Sequence, residues 1–169
     1  CKKAGVPIIN IDTQVYDSGY IISSIMSDNY GAGVQCAEDI MKKKETASIV
    51  VLDSPPTNSI IQRVKGFTDT ISGNGNYRIV DIQHSMGELE ISMQVMTALL
   101  KKDQKIDVVF GGNDPTALGA LAFGAASVLA AFAPTAELLI AARAVLGLSA
   151  ATLAPSTLSL IRNMFLDPK

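Results

Sequence analysis

The sequence is short of most residues from which catalytic and metal sites are built. It holds two cysteines, one histidine and no tryptophan in 169 residues. Cys1 and Cys36 are too few for a disulfide scaffold and lack metal-ligand spacing. His84, without a placed Ser or Cys partner, gives little ground for catalysis. There is no basic excess: 14 Lys and Arg stand against 16 Asp and Glu, a formal net charge of −2. That excludes the phosphate-neutralising surface of a nucleic-acid binder. A phosphate loop, a Gly-x-Ser-x-Gly elbow and zinc spacing are also missing. Disorder is excluded by an apolar content of 48%. One further lack divides the chain. From Pro115 to Ile161 only Glu137 and Arg143 are charged, and the other 28 of the 30 charges lie outside that stretch.

The charged part alternates strand and helix patterns. Cys1-Lys2-Lys3-Ala4-Gly5-Val6-Pro7 reads as the last turn of a helix closed by Gly and Pro, so the chain is expected to begin inside a domain. No basic-then-apolar leader pattern is seen in these residues. Short apolar runs predict strands at Pro7–Ile11, Tyr20–Met26, Ser48–Leu52, Tyr77–Gln83 and Asp107–Phe110. Helices are predicted from Asp28 or Asn29 to about Lys44, from Asn58 to Ile71, from Glu88 to Lys102, and onward from Asp114. Their apolar stripes are Ile60, Ile61, Val64 and Phe67, then Leu89, Met93, Met96 and Leu100. Cys36 is expected as a buried helix residue. Strands separated by helices imply a parallel α/β sheet.

In such sheets a ligand lies beyond the carboxyl ends of the strands. The polar residues there are Asp12-Thr13-Gln14, Asp53-Ser54, His84-Ser85 and Asn113-Asp114. Carboxylates and amides grip hydroxyls, and the same residues also serve as turn formers or helix caps. Gly31-Ala32-Gly33 stands where a dinucleotide fingerprint would. Cys36 occupies its third glycine position, and Glu45 precedes a strand instead of following one, so no dinucleotide cofactor is implied.

Four segments carry a resemblance: Gly5-Val6-Pro7-Ile8-Ile9-Asn10-Ile11-Asp12, Ser27-Asp28-Asn29-Tyr30-Gly31-Ala32-Gly33, Arg63-Val64-Lys65-Gly66-Phe67 and Phe110-Gly111-Gly112-Asn113-Asp114-Pro115-Thr116-Ala117-Leu118-Gly119-Ala120. In order and spacing, residues 1–121 resemble the type I periplasmic sugar-binding proteins of ABC importers. The resemblance implies part of a two-lobed α/β fold. It implies a monosaccharide or related small polyol as ligand, an ABC permease as partner, and no cofactor or catalysis. It carries ligand contacts onto Asp12 and Asn113. Thr13 stands where the family often has Arg. Ile61 stands where the family places a sugar-binding Arg, leaving Asn58 as a weaker substitute. Arg63 either contacts ligand or braces its helix. The family's first amino-terminal strands and last carboxyl-terminal strands have no counterpart here.

After Leu121 the texture changes. Residues 122–132 extend the preceding helix without charge, Ala133-Pro134-Thr135 breaks it, and Leu138–Ile161 is apolar and long enough to span a bilayer. Ala120 with Gly124, and Gly147 with Ala151, are spaced for close helix contact. The alternative is a buried helical hairpin. Leu139-Ile140-Ala141-Ala142-Arg143-Ala144-Val145-Leu146-Gly147-Leu148-Ser149-Ala150-Ala151 resembles the fourth-span motif of major facilitator drug:proton antiporters, with Leu146 in place of the family's Gln. Residues 122–169 would then be a transporter segment, and the resemblance makes Arg143 its proton-coupling residue.

The expected architecture is therefore a partial binding-protein sheet with flanking helices, followed by an apolar, transmembrane-like helical hairpin. Localisation pulls two ways: periplasmic or extracellular for the first part, inner membrane for the second. With no linker near Leu121, the chain reads as a composite of two fragments. A solute-binding module, a transporter fragment and a non-functional composite stay open, and an enzyme is the least favoured.

Overall fold

A computed structural model describes residues 2–13, 19–102 and 105–141. They divide between two compact units, one made of residues 1–87 and 105–113, the other of residues 88–104 and 114–169.

In the first unit a 3-10 turn, Lys2–Ala4, ends at Gly5 with φ +65°, as the Lys-Lys-Ala-Gly-Val-Pro pattern requires. Strands β1 (Ile8–Ile11) and β2 (Ile21–Ile25) pair in parallel. Helix α1 (Asn29–Lys43) follows, then β3 (Ala47–Asp53), helix α2 (Asn58–Ser72), β4 (Tyr77–His84) and, after the second unit's first helix, β5 (Val108–Gly111). Strands β3, β4 and β5 form a parallel sheet in the order β4-β3-β5. The central strand is the β-branched, uncharged run. Ile49, Val50, Val51 and Leu52 are all fully buried, as a strand covered on both faces should be. Ile49 and Val51 join Ala37, Phe67, Ile71, Tyr77 and Phe110 in the core. The rings of Phe67 and Phe110 stack at 4.0 Å.

Asp28 caps α1, its carboxylate accepting the Gly31 amide at 2.8 Å. The two helices of this unit meet backbone to backbone. A methyl group on Gly33 would overlap the Arg63 carbonyl, and one on Gly66 would overlap the Tyr30 carbonyl. The Gly31-Ala32-Gly33 segment thus supplies a cap and a helix crossing, not a phosphate cradle.

The second unit contains α3 (Leu89–Lys101) and α4 (Asp114–Ala131), with residues 136–141 again helical. The two helices pack through Gly119, where a methyl would overlap the Leu89 carbonyl. Helix α4 is long and apolar enough to cross a membrane, and Leu121, Leu129 and Phe132 are exposed.

Four expectations are corrected. Cys36 is exposed, because the covered stripe of α1 runs through Gly33 and Ala37, one position off. Ile61 and Leu100 are also exposed. In α2 and α3 the buried faces centre on Ile60, Gly66, Phe67 and Ile71, and on Ser92, Met93, Met96 and Leu99. Close helix contact falls at Gly119, while Gly124 faces open space. The remainder of the apolar segment to Ile161, with Arg143, and Gln14 near the amino terminus lie outside the described residues.

Candidate ligand-binding site

The carboxyl ends of the strands and the first turn of α2 form one connected cluster. Asp12 closes β1 with φ +72°, its amide donating to the Ile25 carbonyl at 2.9 Å. A left-handed conformation costs a non-glycine residue about 1–2 kcal/mol, and Asp is among the side chains that tolerate it. The next residue reaches α2: the Thr13 and Ser59 hydroxyls share a hydrogen bond at 3.1 Å. Asn58, half-buried, opens that helix.

Arg63 ties the same helix to two other elements. Its Nε donates to Asn29 Oδ1 at 2.9 Å and its Nη1 to the Gly112 carbonyl at 3.2 Å. Both bonds join α2 to other elements of the unit. Gly112 itself must lack a side chain, since a methyl there would overlap Ile60. Asn113 follows, and its Nδ2 donates to the Gly87 carbonyl at 3.0 Å, joining the end of β5 to the turn after β4.

Beside this cluster, Ser54 is buried and bonds the Thr57 hydroxyl at 3.2 Å, and the Ser85 hydroxyl donates to the Asp53 carbonyl at 3.0 Å. His84 Nδ1 lies 2.5 Å from Asp53 Oδ1, with the imidazole largely in solvent. An open groove of about 330 Å³ is lined by Asp53, Ser54, Pro55, Ile61, Val64, Lys65 and Thr68. It lies at the small end of the range for ligand pockets.

Asn58, Arg63 and Asn113 thus gather around the first turns of α2, and Asp12 joins them through Thr13 and Ser59. Sequence reasoning missed Ser59, Asn29, Gly87 and Gly112. Asn29 and Ser59 are hydroxyl- or amide-bearing residues at helix starts, a place where capping masks any other role. Gly87 contributes only a backbone carbonyl, which leaves no residue-type signal.

Chemically, the cluster offers amide, hydroxyl and carboxylate groups, which donate to and accept from hydroxyls. Among the described residues no group of His, Cys, Asp and Glu is placed to hold a metal ion. In parallel α/β folds, ligands bind at these carboxyl ends of the strands.

The chain belongs to the periplasmic binding protein family, whose domain matches residues 1–138. That is a family of binders, so the chain is not an enzyme. It is 30% identical over 125 residues to the D-apiose import binding protein of Paraburkholderia graminis, covering 72% of this chain and 39% of that protein. A solved periplasmic solute-binding protein from Actinobacillus succinogenes with bound D-allose superposes with a TM-score of 0.68 at 25% identity, over 77% of this chain and 49% of that one. The chain is also 46% identical over 79 residues to the multidrug efflux pump LfrA of Mycolicibacterium smegmatis, covering 47% of this chain and 16% of the pump. The chain therefore spans less than half the length of each of these relatives. The binding-protein and efflux-pump shares together exceed the whole chain, so the two matches overlap within it.

Proposed function

We propose that this chain is a truncated solute-binding module of an ABC-type sugar importer, holding a monosaccharide or related small polyol by hydrogen bonds and performing no chemistry on it. Asp12, Asn58 and Asn113 are the ligand contacts, with Arg63 fixing α2 against the loops after β5. The observation that carries this reading is the convergence of three strand ends and one helix start on a single polar cluster, in a chain of the binding-protein family. Relatives named for import of D-apiose and solved with bound D-allose support a small sugar. An ABC permease is the expected partner of the complete protein.

Isothermal titration of the full chain with D-apiose, D-ribose and D-allose tests it. A saturable signal with Kd on the order of millimolar is expected, because a site with half its contacts binds weakly. Asn113→Ala should abolish that signal. Heats no larger than dilution for all three sugars would count against the reading.

A second reading concerns the carboxyl-terminal part, and the similarity to LfrA favours it. Residues 122–169 are a segment of a major facilitator efflux transporter, joined at about Leu121 to the binding module of residues 1–121. Arg143 is then the residue of proton coupling, although two spans enclose no transport path. The whole chain is accordingly a composite of two fragments. Carbonate extraction of membranes from expressing cells separates the outcomes. Retention in the pellet supports insertion, and release into the supernatant contradicts it.

A further inference from the structure

The groove beside the strand-end cluster has a chemistry that the cluster does not share. One wall is a flank of α2, where Ile61, Val64, Lys65 and Thr68 recur at helical spacing. The other is the chain leaving β3, Asp53-Ser54-Pro55. The polar groups of both walls are engaged within the protein. The Lys65 ammonium bonds Asp69 Oδ2 and lies 5.7 Å from the centre of the Tyr30 ring, so Lys65 gives the groove its carbon stem. The Thr68 hydroxyl donates to the Lys65 carbonyl at 3.1 Å. The Ser54 hydroxyl shares a hydrogen bond with Thr57, and Asp53 Oδ1 pairs with His84. The surface the groove offers a ligand is therefore mainly that of Pro55, Ile61 and Val64. Ile61 is 38% exposed and stands off the buried face of α2 that carries Ile60, Phe67 and Ile71.

The groove meets the cluster at Ser54. A methyl group placed on Gly87 would lie 3.1 Å from Asn113 Nδ2 and 3.9 Å from Ser54 Oγ, so Asn113 and Ser54 flank one point. We infer that the groove holds an apolar substituent of the sugar bound at the cluster, and that the preferred ligand is an alkyl or aryl glycoside instead of a free monosaccharide. This deepens the sugar-site reading given above and rests on it. The sugar hydroxyls meet Asn58 and Asn113, and the aglycone lies along α2 against Pro55, Ile61 and Val64. A volume of about 330 Å³ suits a phenyl ring or a short alkyl chain, whose apolar surface leaves water there. A second sugar ring suits it poorly, because its hydroxyls would give up water for groups that are already paired.

Isothermal titration of the full chain with D-apiose, D-ribose and D-allose, with the phenyl glycoside of each, and with phenol alone tests this. For at least one sugar the glycoside should bind roughly tenfold or more tightly than its parent. Amide NMR shifts should extend to Ile61, Val64 and Thr68 with that glycoside and not with the parent sugar. Ile61→Gln should cancel the gain, and Ile61→Leu, which keeps the apolar surface, should retain it. Unchanged amide exchange at Val50 and Val51 verifies that both variants are folded. Parent sugars that bind as tightly as their glycosides would overturn the inference and leave the sugar site standing. Phenol alone binding as tightly as the glycosides, with the same shifts, would overturn it too, since the groove would then act without the cluster. If neither sugars nor glycosides bind, the sugar site itself falls and the inference with it, so the parent sugars tell the two failures apart.

Discussion

Arg63 shows how a single side chain can tie one helix to two distant parts of the chain. One guanidinium nitrogen holds Asn29 at the start of α1 and another holds the carbonyl before Asn113. Arg63→Ala leaves the largely buried Asn29 without that donor and should destabilise the fold by about 1–3 kcal/mol. Arg63→Lys recovers only part of this, because an ammonium cannot reproduce the two-pronged geometry. Urea denaturation of the variants measures both.

Two carboxylates of the first unit contribute to its acid sensitivity. The Lys65 ammonium, then the Tyr30 hydroxyl, hold Asp69 below the usual carboxylate range. The Ser48 amide, helped by Lys105, does the same for Asp107. Groups with depressed folded-state pKa values stabilise above their unfolded pKa of about 4 and lose that contribution as pH falls through the folded value. Stability should therefore be flat from neutrality to about pH 5 and fall below pH 4. Asp107→Asn should flatten that fall in pH-dependent thermal melts. Asp12 and Asn113 stand out in the sequence by their places after strands, and the resemblance singles them out as candidates. The partners of Arg63 were not legible, because they lie 34 and 49 residues away in the chain.

At the level of elements, the glycines of α1 and α2 decide how closely the helices approach. Gly33 and Gly66 each face a carbonyl of the other helix with no room for a methyl. Gly66→Val should separate α1 from α2 at a cost of about 1–3 kcal/mol, which also displaces Arg63 from Asn29. Thermal unfolding checks the first effect, and weaker sugar binding reports the second. The strands and helices were readable because β-branched runs and helical spacing coincide with clear turns. What was not readable is which apolar residues end up covered. Ile9 and Ile11 look like core in a parallel strand, yet they are bare because, among the described residues, β1 has only β2 beside it. Cys36 and Leu100 miss their helices' buried faces by one position, a shift that apolar spacing alone does not resolve.

Over the whole molecule, the change in composition and the two similarities do not fall at one boundary, since the matches overlap. The charged amino-terminal part holds both sheets and the polar cluster. The uncharged stretch begins inside α4, and the whole of α4 belongs to the segment matched by the binding-protein family. The central claim is that the strand-end cluster around α2 receives a sugar. The most direct measurement is a two-dimensional amide NMR titration of the full chain with D-apiose. Shifts that saturate together at Thr13, Ser59, Gly87 and Asn113 are the expected result. No shifts, or shifts confined to residues away from the strand ends, would contradict the account.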